Sequence, residues 1–569
     1  MSADTLVYDM ASAPDSTSSV FVNKSWLSIL DNQNGSYTGL QSVIDTSQLS
    51  NSNRYMNYRE AYLTVPLIIT ATSTTGADSD FVPATAGTSA DYLFGLKNWY
   101  GSLIHSITCE MNGSVVIQQT PYCGLWNSFK LLTSLSAEDI RTQGATIGFF
   151  PDNPQSFIFT SANDTTGITG TTTNNIVAGV FTVTAGAFNS YDGFNEGLMK
   201  RTQYWNFDPD GNTGIANSVA FSSLVSSSNL NLLWKSYIFT KQNSATSGSV
   251  RGVWQCAITA TIKLKHLHPF FEKLPLLKGV FFKITLNLNL SSVTITAGAS
   301  NVVTACSVTS PLGGVSPLMI SQLNSSIIAS TKSVLVSLSV GNRVLNTSQS
   351  GVSGVANSPL GSSILLNVPA YTFAPIFETA YLASPIKKIS YTDIYQYAIL
   401  NTSSGAQINA LVTNGISDLR SVLCIPFYTA TANGGLLPIQ SPFTGEGAGL
   451  TSPLCHLTQF NVQVSGQNAI YNQQKYSYEA FVNQLAGVNS VNGGQTDGMT
   501  SGLIGQLDFE NQNCYYYVNV GRMLEVEKAV PKSVSILGTN TSAKAIDLYV
   551  FCEYGASISV DCLTGSRVG

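Results

Sequence analysis

The sequence predicts an all-β protein, two tandem antiparallel sandwiches with a few short helices, on three observations. Alternating, β-branched runs recur along its 569 residues, helical periodicity is confined to three stretches, and one strand-turn-strand-helix block occurs twice. In chain order the runs cover 62–70, 253–262, 281–290, 332–340 and 545–553, where apolar residues recur at every second position or fill both faces. Helical spacing covers 125–142, with Phe129, Leu132 and Leu135 on one face, then 270–277, interrupted by Pro275, and 476–485. Helices that punctuate sheets in this way exclude a βαβ architecture.

The repeated block begins at His105 in one copy and at His456 in the other. Each runs through an apolar strand, a tight turn (Asn112-Gly113, Ser465-Gly466), a second strand and a Gln-Gln pair (Gln118-Gln119, Gln473-Gln474) into a helical stretch. Two homologous sandwiches explain the repeat, and chance recurrence of hairpins is the competing explanation because the spacings between matched blocks differ. Composition loosens over 291–317, so the expected division is an N-terminal arm 1–50, a first sandwich 51–300 and a second sandwich 301–569. Stretches 161–186 and 429–454 read as long surface loops.

Charged residues are only 10% of the chain, against about 25% in an ordinary soluble domain. Asn, Ser, Thr, Gln and Gly must then build much of the surface, and few repelling charges keep identical copies apart. The net charge of −5 argues against a protein devoted to neutralising phosphate. The first 23 residues carry Asp4, Asp9 and Asp15 and no Lys or Arg, unlike a basic nucleic-acid arm. No apolar run is long enough for a membrane span and no secretion signal is read at the start, so synthesis in the cytosol is expected. Nine scattered cysteines without a C-x-x-C pair are expected to be buried free thiols.

The sequence singles out no catalytic, cofactor-binding or metal-binding residue. His266-x-His268 would place two imidazoles on one strand face, but it lies among Lys263, Lys265 and Pro269 with no third ligand nearby. His105 and His456 read as polar residues at strand starts. Asp208-Pro-Asp-Gly211 resembles the opening of a calcium loop without its closing Glu, and a solvent-facing turn explains it better. The run Cys514-Tyr-Tyr-Tyr-Val518 reads as core or interface packing in preference to a stacking platform.

A family resemblance rests on Ile29-Leu-Asp-Asn-Gln-Asn-Gly-Ser-Tyr37, Asp45-Thr-Ser-Gln-Leu-Ser-Asn-Ser-Asn53 and Tyr55-Met-Asn-Tyr-Arg-Glu-Ala-Tyr-Leu63. With Leu96-Lys-Asn-Trp-Tyr-Gly101, Ile117-Gln-Gln-Thr-Pro-Tyr122, Leu125-Trp-Asn-Ser-Phe-Lys-Leu131 and Asn206-Phe-Asp-Pro-Asp-Gly211, these stretches resemble the major capsid proteins of polinton-like viruses, relatives of virophages. The resemblance implies a double jelly roll and a non-enzymatic role in the virion. It also implies homotrimers with six-fold pseudosymmetry that tile an icosahedral shell beside penton and other minor capsid proteins, with no sequence-specific nucleic-acid binding and no membrane span. The arm would clamp neighbouring capsomers, and Trp26, Tyr37, Tyr55 and Tyr58 are the candidates for buried contacts between subunits. Deleting residues 1–50 would then leave soluble trimers that build no particles. The alternatives are a carbohydrate-binding or adhesive β-sandwich surface protein and, third, a β-sandwich hydrolase.

Overall fold

The computed structural model describes residues 19–33, 35, 37, 40–50, 52–75, 92–151, 174–177, 180–183, 236–241, 253–297, 303–322, 332–341, 363–432, 436–442, 445–470, 476–489, 501–520, 529–562 and 564–568. One set of strands opens with β1 (Phe21–Leu30), β2 (Gln41–Asp45), β3 (Tyr55–Met56), β4 (Tyr62–Thr75), β5 (Tyr92–Leu96), β6 (Ile104–Met111) and β7 (Ser114–Ile117). It continues with β8 (Asn174–Val177), β9 (Val180–Val183), β10 (Ser236–Lys241), β11 (Val253–Lys263) and β12 (Phe282–Leu288). Strands β13 (Ser292–Ala297), β14 (Val303–Thr309), β15 (Leu318–Gln322), β16 (Lys332–Val340) and β17 (Leu365–Phe373) complete it. The other set is β18 (Ile386–Thr402), β19 (Gln407–Ile416), β20 (Leu419–Tyr428), β21 (Leu457–Val464), β22 (Gln467–Asn468), β23 (Tyr516–Asn519), β24 (Lys532–Asn540) and β25 (Ile546–Asp561).

Eight strands of each set adopt the same arrangement. In the second set the sheets run β18-β25-β20-β23 and β19-β24-β21-β22; in the first, β1-β17-β4-β11 and β2-β12-β6-β7. Numbered in chain order among its own eight strands, each pair of sheets takes the first, eighth, third and sixth on one side and the second, seventh, fourth and fifth on the other. The pairings among these described strands are antiparallel, and this double Greek key is a jelly roll, so the fold is a tandem double jelly roll. The first copy is elaborated between its seventh and eighth strands, where β13, β14 and β16 form a ladder that joins the upper part of β4.

Local chemistry accounts for the elements. In β12, Phe282, Ile284, Leu286 and Leu288 point inward while Lys283 faces solvent, as expected of a half-covered strand. Strand β25 is buried on both faces from Ile546 to Cys552, because one face lines its own sandwich and the other meets the first jelly roll. The two β-turns of the repeat are confirmed in detail. Asn112 and Gly113 have φ of 47° and 80°, and Ser465 and Gly466 have 50° and 79°, the positive pair that joins two strands by a type I′ turn. Helices Cys123–Ser134 and Tyr478–Asn489 follow the two hairpins.

Strand pairing departs from the expected division. Strand β1 pairs along its length with β17, so residues from 21 onward belong to the first sandwich and not to an arm, and β17 returns to that sandwich well past residue 300. The changeover lies at helix Pro375–Leu382. Composition misplaced it because 303–341 is an insertion within the first jelly roll, with the same polar, β-rich character as a linker beside a new domain. The stretch 125–142 is two helices, Cys123–Ser134 and Ala137–Ile147, separated where Ser136 and Asp139 form a reciprocal capping box. His266 and His268 sit on a turn of helix Leu264–Leu267 and its C-cap, not on a strand. Stretch 161–186 lies largely outside the described residues, as do Asp208–Gly211 and the side chain of Cys256.

Candidate assembly surfaces

Two structural features bear on what the molecule does: the seam that fixes the jelly rolls against each other, and the sheet edges they leave uncovered. The seam is built around helix Cys123–Ser134, whose amphipathic spacing turns Trp126 and Phe129 toward the second jelly roll. Phe129, fully buried, lies 5.1 Å from Tyr515, 5.5 Å from Tyr517 and 6.4 Å from Phe481 between ring centroids. Trp126 meets Phe551 at 6.2 Å, and Tyr122 meets Tyr549 at 4.9 Å. Aromatic pairs at such separations add about 0.5–1.5 kcal/mol each beyond the area they bury. The Cys514–Val518 run is therefore core and seam packing.

Polar groups lock the seam in register. Tyr391 donates its hydroxyl to the Val116 carbonyl at 2.6 Å, and Thr120 donates to the Ile394 carbonyl at 2.9 Å. Lys97, fully buried, donates to the carbonyls of Ile439 and Glu446. Lys130 faces Glu553 at 3.7 Å, and Ser421 donates to the other oxygen of that carboxylate. His268 Nδ1 accepts the Phe270 amide, which leaves the proton on Nε2 facing Asp393 Oδ1 at 3.3 Å across the seam. Buried polar groups satisfied by partners on the opposite half specify one docking geometry, since any slip leaves them unpaired. The two jelly rolls are docked along one continuous seam.

Strands β1 and β18 each pair on one side only among the described residues, and both are long. Unpaired strand edges are open to contact with another chain. On β1, Trp26 and Leu30 share one face, with 49% and 60% of their surface exposed, and Val22, at the bulge near the start of the strand, is 67% exposed. Lys24 lies among them, 5.6 Å from the Trp26 ring and paired with Glu60 at 3.0 Å. On β18, Tyr395 and Tyr397 share a face and are exposed, as are Ile386 and Leu400.

The four contact candidates separate on this surface. Trp26 is exposed, but Tyr37, Tyr55 and Tyr58 are buried inside the chain and cannot reach a second copy in this fold. The Tyr37 hydroxyl accepts the Ile364 amide, Tyr55 donates to Glu378, and Tyr58 donates to Thr46. They anchor the first jelly roll itself. The exposed residues of β18 had no signal in the sequence beyond β alternation, because exposure there depends on where the first jelly roll stops covering the strand.

Among the described residues no three His, Cys, Asp or Glu side chains converge as a metal site, and eight cysteines are buried free thiols. Burial pushes the thiols up, Cys123 to about 12, so they are held as neutral SH groups. His266 is driven down to about 4 by burial and the neighbouring Lys265 and Lys263. No described helix is long and apolar enough to cross a membrane.

No family model and no curated protein sequence matches the chain. Among solved structures the chain is similar to a protein of the Sputnik virophage from its 3.5 Å cryo-EM structure, with 11% identity over 97% of this chain and 89% of that one and a TM-score of 0.47. It is similar to the Faustovirus major capsid protein, with 10% identity over 98% and 94% of the two chains and a TM-score of 0.44. The mavirus major capsid protein gives 10% identity over 97% and 91% and a TM-score of 0.42.

Proposed function

We propose that this chain is a non-enzymatic major capsid protein. Three copies assemble into a trimer, and trimers tile an icosahedral shell in the virion. The observation that carries this is the duplication of one eight-stranded jelly roll in a single chain, the two copies packed together along the aromatic seam. Three such chains around an axis present six similar sandwiches, so a trimer acquires a hexagonal outline that packs in a plane. The sequence resemblance around Tyr55–Leu63 and Leu125–Leu131 supports the same reading. The exposed β1 face with Trp26 and the β18 edge supply surfaces for contacts between copies, each weak alone and multiplied by closure of the shell. Within this reading the two domains span 21–373 and 386–561, penton and minor capsid proteins complete the vertices, and synthesis takes place in the host cytosol.

Light scattering and negative-stain microscopy of the purified chain test it. Particles three times the mass of the chain with a hexagonal outline, or closed shells, are expected. A monomer that binds glycans would establish the adhesive alternative, and turnover of a polysaccharide the hydrolase.

A further inference from the structure

A second surface is polar where the β1 face is apolar. A solvent-open groove of about 560 Å³ runs between helix Pro269–Lys273 of the first jelly roll and β18, β20 and β25 of the second. Among the described residues that line it, Lys273, Lys388 and Arg420 stand against the single carboxylate of Asp418, with the hydroxyls of Ser390 and Ser557 on its floor. Arg420 spends one nitrogen on Asp418 at 2.8 Å, while its Nε is buried without a partner. Gly555 makes this floor: any Cβ there would overlap the Asp418 carboxylate and crowd Arg420 Nε, so only glycine lets the pair lie across β25. Among the described lining residues this leaves an excess of positive charge facing solvent, on a protein whose net charge is −5.

The sequence contains a matching partner. Residues 1–18 carry Asp4, Asp9 and Asp15 with no Lys or Arg, and Leu6, Val7, Tyr8 and Met10 among them. Val20, two residues past this segment, is linked through one corner of the fold to a strand that lines the groove. The Val20 carbonyl accepts the Ala374 amide at 2.9 Å, Ala374 opens helix Pro375–Leu382, and the next strand, β18, brings Lys388. The stack of Phe373 on Tyr381 and the bond from Lys387 Nζ to the Tyr381 carbonyl tie that corner together. Eighteen residues reach up to about 60 Å when extended, more than a jelly roll's width. We propose that the groove is the docking site for the acidic segment 1–18 of this same protein, held by Asp carboxylates on Lys273, Lys388 and Arg420. The docking stands whether or not the chain builds shells.

Zero-length carbodiimide coupling of the full chain, mapped by mass spectrometry, tests it. Asp4, Asp9 or Asp15 should couple to Lys273 or Lys388 in preference to other lysines, and coupling should fade at high salt, which screens exposed charges. A mixture of isotope-labelled and unlabelled chains reads whether the segment comes from the same molecule or a second copy; either source supports the docking. A labelled peptide of residues 1–18 should bind the Lys273→Glu/Lys388→Glu chain about ten-fold more weakly, a difference of about 1.4 kcal/mol. Both lysines are solvent-facing, and an unchanged melting curve establishes that this variant folds. Coupling spread evenly over all lysines, or peptide binding indifferent to the charge reversal, overturns the proposal. So does a groove that takes a short single-stranded oligonucleotide through Lys388 while ignoring the peptide, since that would make it a phosphate site.

Discussion

His266 gives the fold a pH dependence whose sign follows from its surroundings. An unfolded histidine takes up a proton near pH 6.5, whereas this one, buried beside Lys263 and Lys265, does so only near about 4. Between these values the unfolded chain binds more protons, so stability falls as pH drops from about 6.5 to about 4. His266→Gln removes the titration. The loss of unfolding free energy between neutral and acidic pH, measured by urea denaturation, should shrink in the variant by on the order of 2 kcal/mol. An equal loss in both proteins would place the acid sensitivity elsewhere. The four aromatic candidates divide in the same testable way. Tyr58→Ala empties a fully buried site and should destabilise by about 3–5 kcal/mol, whereas Trp26→Ser should leave the melting temperature nearly unchanged and weaken association between copies. The sequence flags all four as aromatic near the start. It does not say which stand inside, because that depends on the return of β17 and on partners such as Glu378 and Ile364, far away in the chain.

The hairpins are the elements most plainly written in the sequence. Asn-Gly is the strongest short signal for a turn with two positive φ angles, and Asn112-Gly113 adopts it. Ser465 occupies the same conformation with a residue less suited to it, so Ser465→Asn should stabilise the second jelly roll by a few tenths of a kcal/mol, roughly up to 1. Gly466→Ala should cost about 1 kcal/mol through backbone strain, since open space surrounds the position and no clash contributes. Differential scanning calorimetry of the pair of variants checks both signs. The division of the 125–142 stretch was legible too. Ser136-Ala-Glu-Asp139 is a capping signal, and apolar periodicity masks it because Leu135 keeps the apolar spacing across the break. Seams and edges are less legible, since β25 is apolar on both faces for a reason supplied by the other jelly roll.

The connectivity of the double jelly roll explains why the fold class could be read while its boundaries could not. Alternation reports that strands exist, and the repeat reports that the pattern occurs twice, but closure of each jelly roll depends on the last strand pairing beside the first. In the first copy that pairing joins β1 to β17 across the whole domain, and nothing local encodes it. Truncation makes the consequence measurable. Removing residues 1–50 deletes β1 and β2, one strand from each sheet, which strips partners from β17 and β12 and takes the buried side chains of Ile44 and Leu49 out of the core. That chain should aggregate or fail to fold, and soluble trimers without particles are no longer the expected outcome. Removing only residues 1–18 spares every described strand, so circular dichroism and the melting temperature should match those of the intact chain. If the acidic segment links copies, the shorter truncation should still give trimers and fewer or less regular particles by electron microscopy. Intact shells at normal yield would confine that segment to a role within its own molecule, and a folded 1–50 deletion would contradict the β1–β17 pairing on which the first jelly roll depends.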